Sequence, residues 1–275
     1  MNKLPVIDVT GRAMRAPVRF FWPLAPFYLV LQIGVVGVLG AFATIGPETG
    51  LGVEPANLPL AIAAGIVLFI ASIMLVVLTH RLVAGVADPW RLAGPAVGYV
   101  ALSLGILAIV LATLLVLGAL SGLTGAGAPV GEGAGEGSVL AGVLALVIYV
   151  GFIVFFVRAS LALPAAALER EKPLLAGLAA GRGNTLRLIG GWLLLMLFAI
   201  AFAMAVSLLA ALLGLVEFPP QDQGAQGLAN ALDLTDPDAL AMLGINVAVN
   251  YAVTVATTAF LTHSLMAIEG RTPAE

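Results

Sequence analysis

The sequence contains no cysteine. Disulfides, thiolate metal sites and thiol nucleophiles are therefore excluded. His80 and His263 are its two histidines, too few for a histidine metal cage. Charge is scarce as well: Asp, Glu, Lys and Arg make up 10% of the 275 residues, against about 25% in a soluble domain. No charge falls in the middle of any long apolar run. Proton- and ion-coupled transporters place Asp, Glu or His at that depth, so this pattern argues against them. A Ser/His, paired-Asp or metal constellation is missing there too, which leaves an intramembrane enzyme the least supported reading.

What is present is apolar sequence. Hydrophobic residues make up 61% of the chain, and the mean hydropathy is +1.11. Six apolar segments stand out, at about 24–45, 59–79, 96–120, 139–157, 188–216 and 239–268. Each reaches or nearly reaches the roughly 20 residues that cross a bilayer as a helix. Connectors such as "GPETGLGVEPANL" and "SGLTGAGAPVGEGAGEGS" separate them and read as water-exposed loops. The second is Gly-rich, but it follows no strand and lacks the lysine of a phosphate loop. Its carboxylates Glu132 and Glu136 share a loop too loose for catalytic geometry.

The few charges sort by side. Lys3, Arg12, Arg15 and Arg19 precede the first span, and Arg81 and Arg91 lie between the second and third. Arg158, Arg170, Lys172, Arg182 and Arg187 lie between the fourth and fifth, and Arg271 follows the sixth. These are all 12 Lys and Arg in the chain. The remaining connectors carry only acids: Glu48, Glu54, Glu132, Glu136, Glu217, Asp222, Asp233, Asp236 and Asp238. Such a Lys/Arg asymmetry marks the cytoplasmic side. The expected architecture is all-α, a polytopic bundle of six transmembrane helices with both termini cytoplasmic. It divides into a basic cytoplasmic segment 1–23, a membrane domain 24–268 and a cytoplasmic tail 269–275. "AFA" at 41–43 resembles a signal-peptide cleavage site, but the apolar run before it is too long for a signal sequence.

The stretch "VRASLALPAAALEREK" at 157–172 sets Arg158 into apolar sequence at the cytoplasmic end of the fourth span. A long Arg stem lets the guanidinium reach lipid phosphates from there. Beyond it, Pro164 and Pro173 can each start a helical turn. Gly181 and Gly183 can stop one, and Asn184 can cap the fifth span. Short interfacial helices along the inner membrane face are expected. Two readings stay open for Arg158, Arg170, Lys172, Arg182 and Arg187: a lipid-anchored connector, or a specific headgroup or partner-docking site. Basic residues also stand beside aromatics in "VRFFW", "PWRLAG" and "LRLIGGW", the pattern of interfacial anchoring or of three repeated hairpins.

The sixth span carries a polar stripe. At 100° per residue, Asn246, Asn250, Thr254, Thr257 and Ser264 fall within about 80° of arc. They can serve as interhelical hydrogen-bond glue or line a path for a substrate or lipid. His263 lies off this stripe.

"VRASLALPAAALE" and "GLAAGRGNTLRLIGGWLLL" together resemble a pattern in bacterial multi-span membrane proteins of the YciC-like type. The pattern also resembles the membrane domain attached to some glycerophosphodiester phosphodiesterases. Here "AAGRGNTLR" lacks the aromatic that often precedes the glycine. The resemblance implies an inner-membrane bundle whose relatives keep any enzymatic activity in a separate soluble domain. The expected function is therefore non-catalytic, a scaffold or accessory subunit of a bacterial cytoplasmic membrane with no cofactor. Expected partners are anionic lipid headgroups and a membrane protein, and no nucleic acid. A transport or lipid-translocation component is the alternative.

Overall fold

Lipid offers no hydrogen bonds to a backbone, so uncharged apolar runs close their N–H and C=O groups internally as helices. The computed structural model describes residues 3–46, 50–53, 57–123, 136–214 and 237–271. Glu48, Glu54, Glu132, Glu217, Asp222, Asp233 and Asp236, with nearly all of "GAGAPVGEGAGEG", lie outside the described residues. Six long helices carry the apolar runs: α2 (Phe21–Phe42), α3 (Leu58–Val83), α4 (Ala93–Leu123), α5 (Glu136–Ala159), α8 (Thr185–Leu212) and α9 (Pro237–Glu269). All six are long and apolar enough to cross a membrane. The protein is a multi-pass, all-α membrane bundle, with one small β-hairpin among the described residues.

That hairpin lies within the connector after the first span. Strand β1 (Ala43–Gly46) pairs antiparallel with β2 (Gly50–Val53), Ile45 opposite Leu51 and Gly46 opposite Gly50. The sequence reads as a plain loop there because glycine-rich strands this short carry no alternation signal.

Three shorter helices, α1 (Val6–Arg19), α6 (Ala162–Ala167) and α7 (Pro173–Gly181), sit at the end of the bundle that holds the basic residues, here called the basic end. Helix α1 is amphipathic. Val9, Thr10, Ala13, Ala16 and Pro17 are buried, while Asp8, Arg12, Arg15 and Arg19 are exposed. Its buried face packs along α9 and α8. The Tyr251 hydroxyl donates to the Pro17 carbonyl at 2.7 Å and fixes the helix there.

The two short helices after α5 behave differently from each other. Pro173 opens α7 as expected, and Gly183 ends the turn at φ +81°. Helix α7 is partly exposed, with Leu175 and its terminal neighbours Lys172 and Arg182 at the surface. Helix α6 is enclosed by its neighbours. Ala162, Pro164, Ala165, Ala166 and Ala167 are buried, and α6 is packed against α3, α4, α7 and α9. Its alanines make this possible, because small side chains let neighbouring backbones close in. The core sits at the same end, where Leu24, Leu161, Leu188, Phe260 and Leu265 are almost fully enclosed.

Candidate functional site

The basic residues of the sequence reading come together at one end, yet they do different work. Arg158 ends α5 half-buried. Its Nε donates to Thr185 Oγ1 at 2.8 Å, and the Thr185 hydroxyl donates onward to the Gly181 carbonyl at 3.2 Å. The Arg158 stem packs against Gly181 so tightly that a Cβ there would lie 2.6 Å from Arg158 Cγ. Arg158 thus ties α5 to α7 and the start of α8. Arg170 donates to Glu269 at 3.0 Å, and Arg271 reaches the same carboxylate at 3.3 Å, joining the α6–α7 connection to the end of α9. Arg187 donates to the Leu4 carbonyl at 3.1 Å. Lys172 and Arg182 stay exposed at the two ends of α7.

Asn184 takes the first position before α8, as its type predicts, but its side chain makes no capping hydrogen bond. Its Oδ1 instead accepts from the Leu4 backbone N–H at 2.9 Å. Asn184 and Arg187 together hold both polar groups of the Leu4 backbone, whose side chain is 1% exposed.

Arg81 is a bracing residue that its local sequence does not mark out. It is buried at the end of α3 and donates to the carbonyls of Ala167 and Asp88 and to Glu169 Oε2, at 3.3, 2.9 and 3.2 Å. Glu169 ends α6 in a left-handed conformation, φ 55°, where glycine is usual. Its N–H bonds Ala166 O, and the Arg170 N–H bonds Ala165 O, the pairing of a Schellman turn. The ion pair with Arg81 offsets the cost of a non-glycine residue there.

The stripe on α9 does not run through the interior. Asn246 and Asn250 are exposed, Thr254 and Thr257 half-buried, and Ser264 buried. Asn246 donates to Met242 O, and Thr254 donates to Asn250 Oδ1, so these bonds stay within α9. The Ser264 hydroxyl is buried without a partner among the described residues.

A polar contact that does join α9 to another span lies on a different face. His80 Nδ1 is 2.7 Å from Thr262 Oγ1, and Thr262 Oγ1 donates to Thr258 O at 2.9 Å. A threonine has one hydroxyl proton. With that proton on Thr258 O, Thr262 accepts from His80, which therefore carries hydrogen on Nδ1. The Tyr99 ring lies 5.8 Å from the His80 ring, centroid to centroid. Sequence hints existed: "THR" at 79–81 is a polar triplet in an apolar run, and Thr258 and Thr262 stand one helical turn apart. The pairing itself spans 182 residues and leaves no local trace. His263 is also buried, with Nδ1 unpartnered among the described residues.

Beside this end, a groove of about 420 Å³ opens between α5, α8 and α9. Ile153, Val157, Ile189, Trp192, Ala199 and Thr257 are among its walls. Thr257 is the one stripe residue that enters it. Val157 and Ile189 place its upper limit next to the Arg158–Thr185 bridge.

No family model, curated protein or solved structure matches the chain.

Proposed function

We propose that this protein is a non-catalytic scaffold or accessory subunit of a bacterial inner membrane, whose basic end faces the cytoplasm and docks on anionic lipid headgroups. One observation carries the reading: every Lys and Arg of the chain belongs to the end where α1, α6 and α7 lie. That asymmetry is the one that orients helices in bacterial membranes. Arg81, Arg158, Arg170 and Arg187 brace this end through hydrogen bonds, and Arg15, Arg19, Arg91, Lys172, Arg182 and Arg187 are exposed on it. Each cation held at an anionic surface contributes about 1 kcal/mol. Exposed Trp22 and Trp90 stand beside Arg19 and Arg91, in keeping with headgroup-level anchoring. The likeness of Arg158–Trp192 to YciC-like proteins points to the same class.

The translocation reading gains little from the stripe, since Asn246 and Asn250 face outward and bond within their own helix.

The absence of cysteine makes the orientation directly testable. Leu213→Cys at the far end of α8 should react with a membrane-impermeant thiol reagent on intact cells. Arg182→Cys should react only after permeabilisation. The reverse pattern overturns the proposal. In bilayers with equal phosphatidylglycerol and phosphatidylcholine, the protein should retain the former preferentially, and less so as salt rises.

A further inference from the structure

We infer that the groove between α5, α8 and α9 seats one glycerophospholipid of the leaflet at the basic end, its acyl chain along the groove and its phosphate on Arg158. The inference deepens the anionic-lipid reading above and rests on it.

The dimensions fit one leaflet. From Ile189 to Ala199 the groove follows α8 for roughly 15 Å, at 1.5 Å per residue. That is half of the ~30 Å hydrocarbon thickness of a bilayer. Its walls at Ile153, Val157, Ile189, Trp192 and Ala199 are apolar, and it is an open groove rather than an enclosed cavity.

The charge is at the correct end. Arg158 follows Val157 directly, and Thr185 stands one turn before Ile189, so the Arg158–Thr185 hydrogen bond closes the groove where a headgroup would begin. Only Nε of Arg158 is engaged among the described hydrogen bonds. Both Nη groups remain to bond two phosphate oxygens, the paired geometry that guanidinium favours. The stem is clamped by Gly181, so the head is already positioned and little side-chain entropy is lost on binding. Exposed Arg182 follows Gly181 in the chain and adds a preference for a headgroup with net negative charge. A second cavity, of about 350 Å³ near the far end of α8 and α9, has only apolar side chains and glycine around it. It offers a phosphate nothing.

The test is native mass spectrometry of the full chain in mild detergent, with phosphatidylglycerol or phosphatidylcholine of the same acyl chains. The wild type should hold one phosphatidylglycerol, favoured about fivefold over phosphatidylcholine, because both lipids offer Arg158 a phosphate and the exposed Arg182 alone distinguishes their net charge, at about 1 kcal/mol. R158A should lower its retention about tenfold, and R15A, which removes an exposed charge elsewhere, by less than about twofold. A199F fills the groove far from Arg158 without entering the core, so it should lower retention of both lipids even if R158A fails to fold. Equal losses in R158A and R15A, or unchanged retention in A199F, overturn the seat while leaving the general attraction in place. A wild type that does not prefer phosphatidylglycerol overturns the anionic-lipid reading itself.

Discussion

The two ends of the bundle are built on different principles. At the basic end, helices are cross-tied by Arg81, Arg158, Arg170, Asn184 and Tyr251, and polar side chains such as Thr79, His80 and Thr262 are enclosed. At the far end, Leu208, Leu209, Leu212 and Leu213 of α8 and Leu240 and Met242 of α9 are exposed. Lipid tails are as apolar as leucine, so nothing drives those faces together. Hydrogen bonds and close backbone approach must supply specificity, and among the described residues both are concentrated at the basic end. The far half supplies span length, and the basic half supplies the fold.

Glycine shows the contrast most sharply. A Cβ on Gly177 would run into the backbone of Ala162, and one on Gly191 into the Phe260 ring. Gly105 and Gly244 have no neighbour within 4 Å of such an atom. Gly177→Ala forces two backbones apart and should cost about 3 kcal/mol or more, lowering Tm in detergent by roughly 10 °C. Gly191→Leu should do the same. Gly244→Ala should leave Tm level or raise it slightly, through helix propensity of up to about 1 kcal/mol. Equal losses at Gly177 and Gly244 would abolish the distinction between the two ends.

Arg81 comes next. Arg81→Met keeps the volume but strips the Ala167 and Asp88 carbonyls of a donor and leaves left-handed Glu169 without its ion partner. The expected loss is about 3 kcal/mol, visible as a lower Tm and faster proteolysis between α5 and α8. Glu169 is half-exposed, so Glu169→Gln should cost less than half as much.

The buried hydroxyls of α9 separate a working contact from an idle one. Thr262→Val keeps the shape and leaves His80 Nδ1 buried without an acceptor, at a cost of about 1.5 kcal/mol. Ser264→Ala removes an oxygen that has no partner among the described residues, so stability should stay level or rise. Interhelical glue along the stripe requires the opposite order, and thermal unfolding of both variants in one detergent decides it.

Span number and the gathering of charge at one end are legible in the sequence because each is a local property: hydropathy over a window, and which connector holds an Arg. The turns of "ALEREKPLLAGLAAGRG" are legible for the same reason, since Pro173 and Gly183 act on their own backbones. What Arg158 grips is not legible, because Thr185 is 27 residues away. The burial of α6 is not legible either, as an alanine-rich turn suits a membrane face and a bundle interior equally. Helix α1 is legible too: Val9, Ala13 and Ala16 recur at helical spacing opposite Asp8, Arg12, Arg15 and Arg19, a strong amphipathic pattern that counting charges by connector does not reveal.

The smallest effect expected is at the far end of the stripe. Asn250 is exposed on α9, and its Oδ1 accepts from Thr254 of the same helix. Asn250→Leu removes an amide from an exposed position whose described hydrogen bond stays within α9, so stability should change by less than about 0.5 kcal/mol. Membrane insertion should improve, since leucine partitions into the bilayer more favourably. The measurement is Tm in detergent alongside the fraction integrated in an insertion assay. A loss above about 1 kcal/mol would mean that Asn250 meets a polar partner outside this chain's own bundle. The far half would then hold a helix–helix interface, and the contrast between the two ends would describe the isolated chain rather than its state in the membrane.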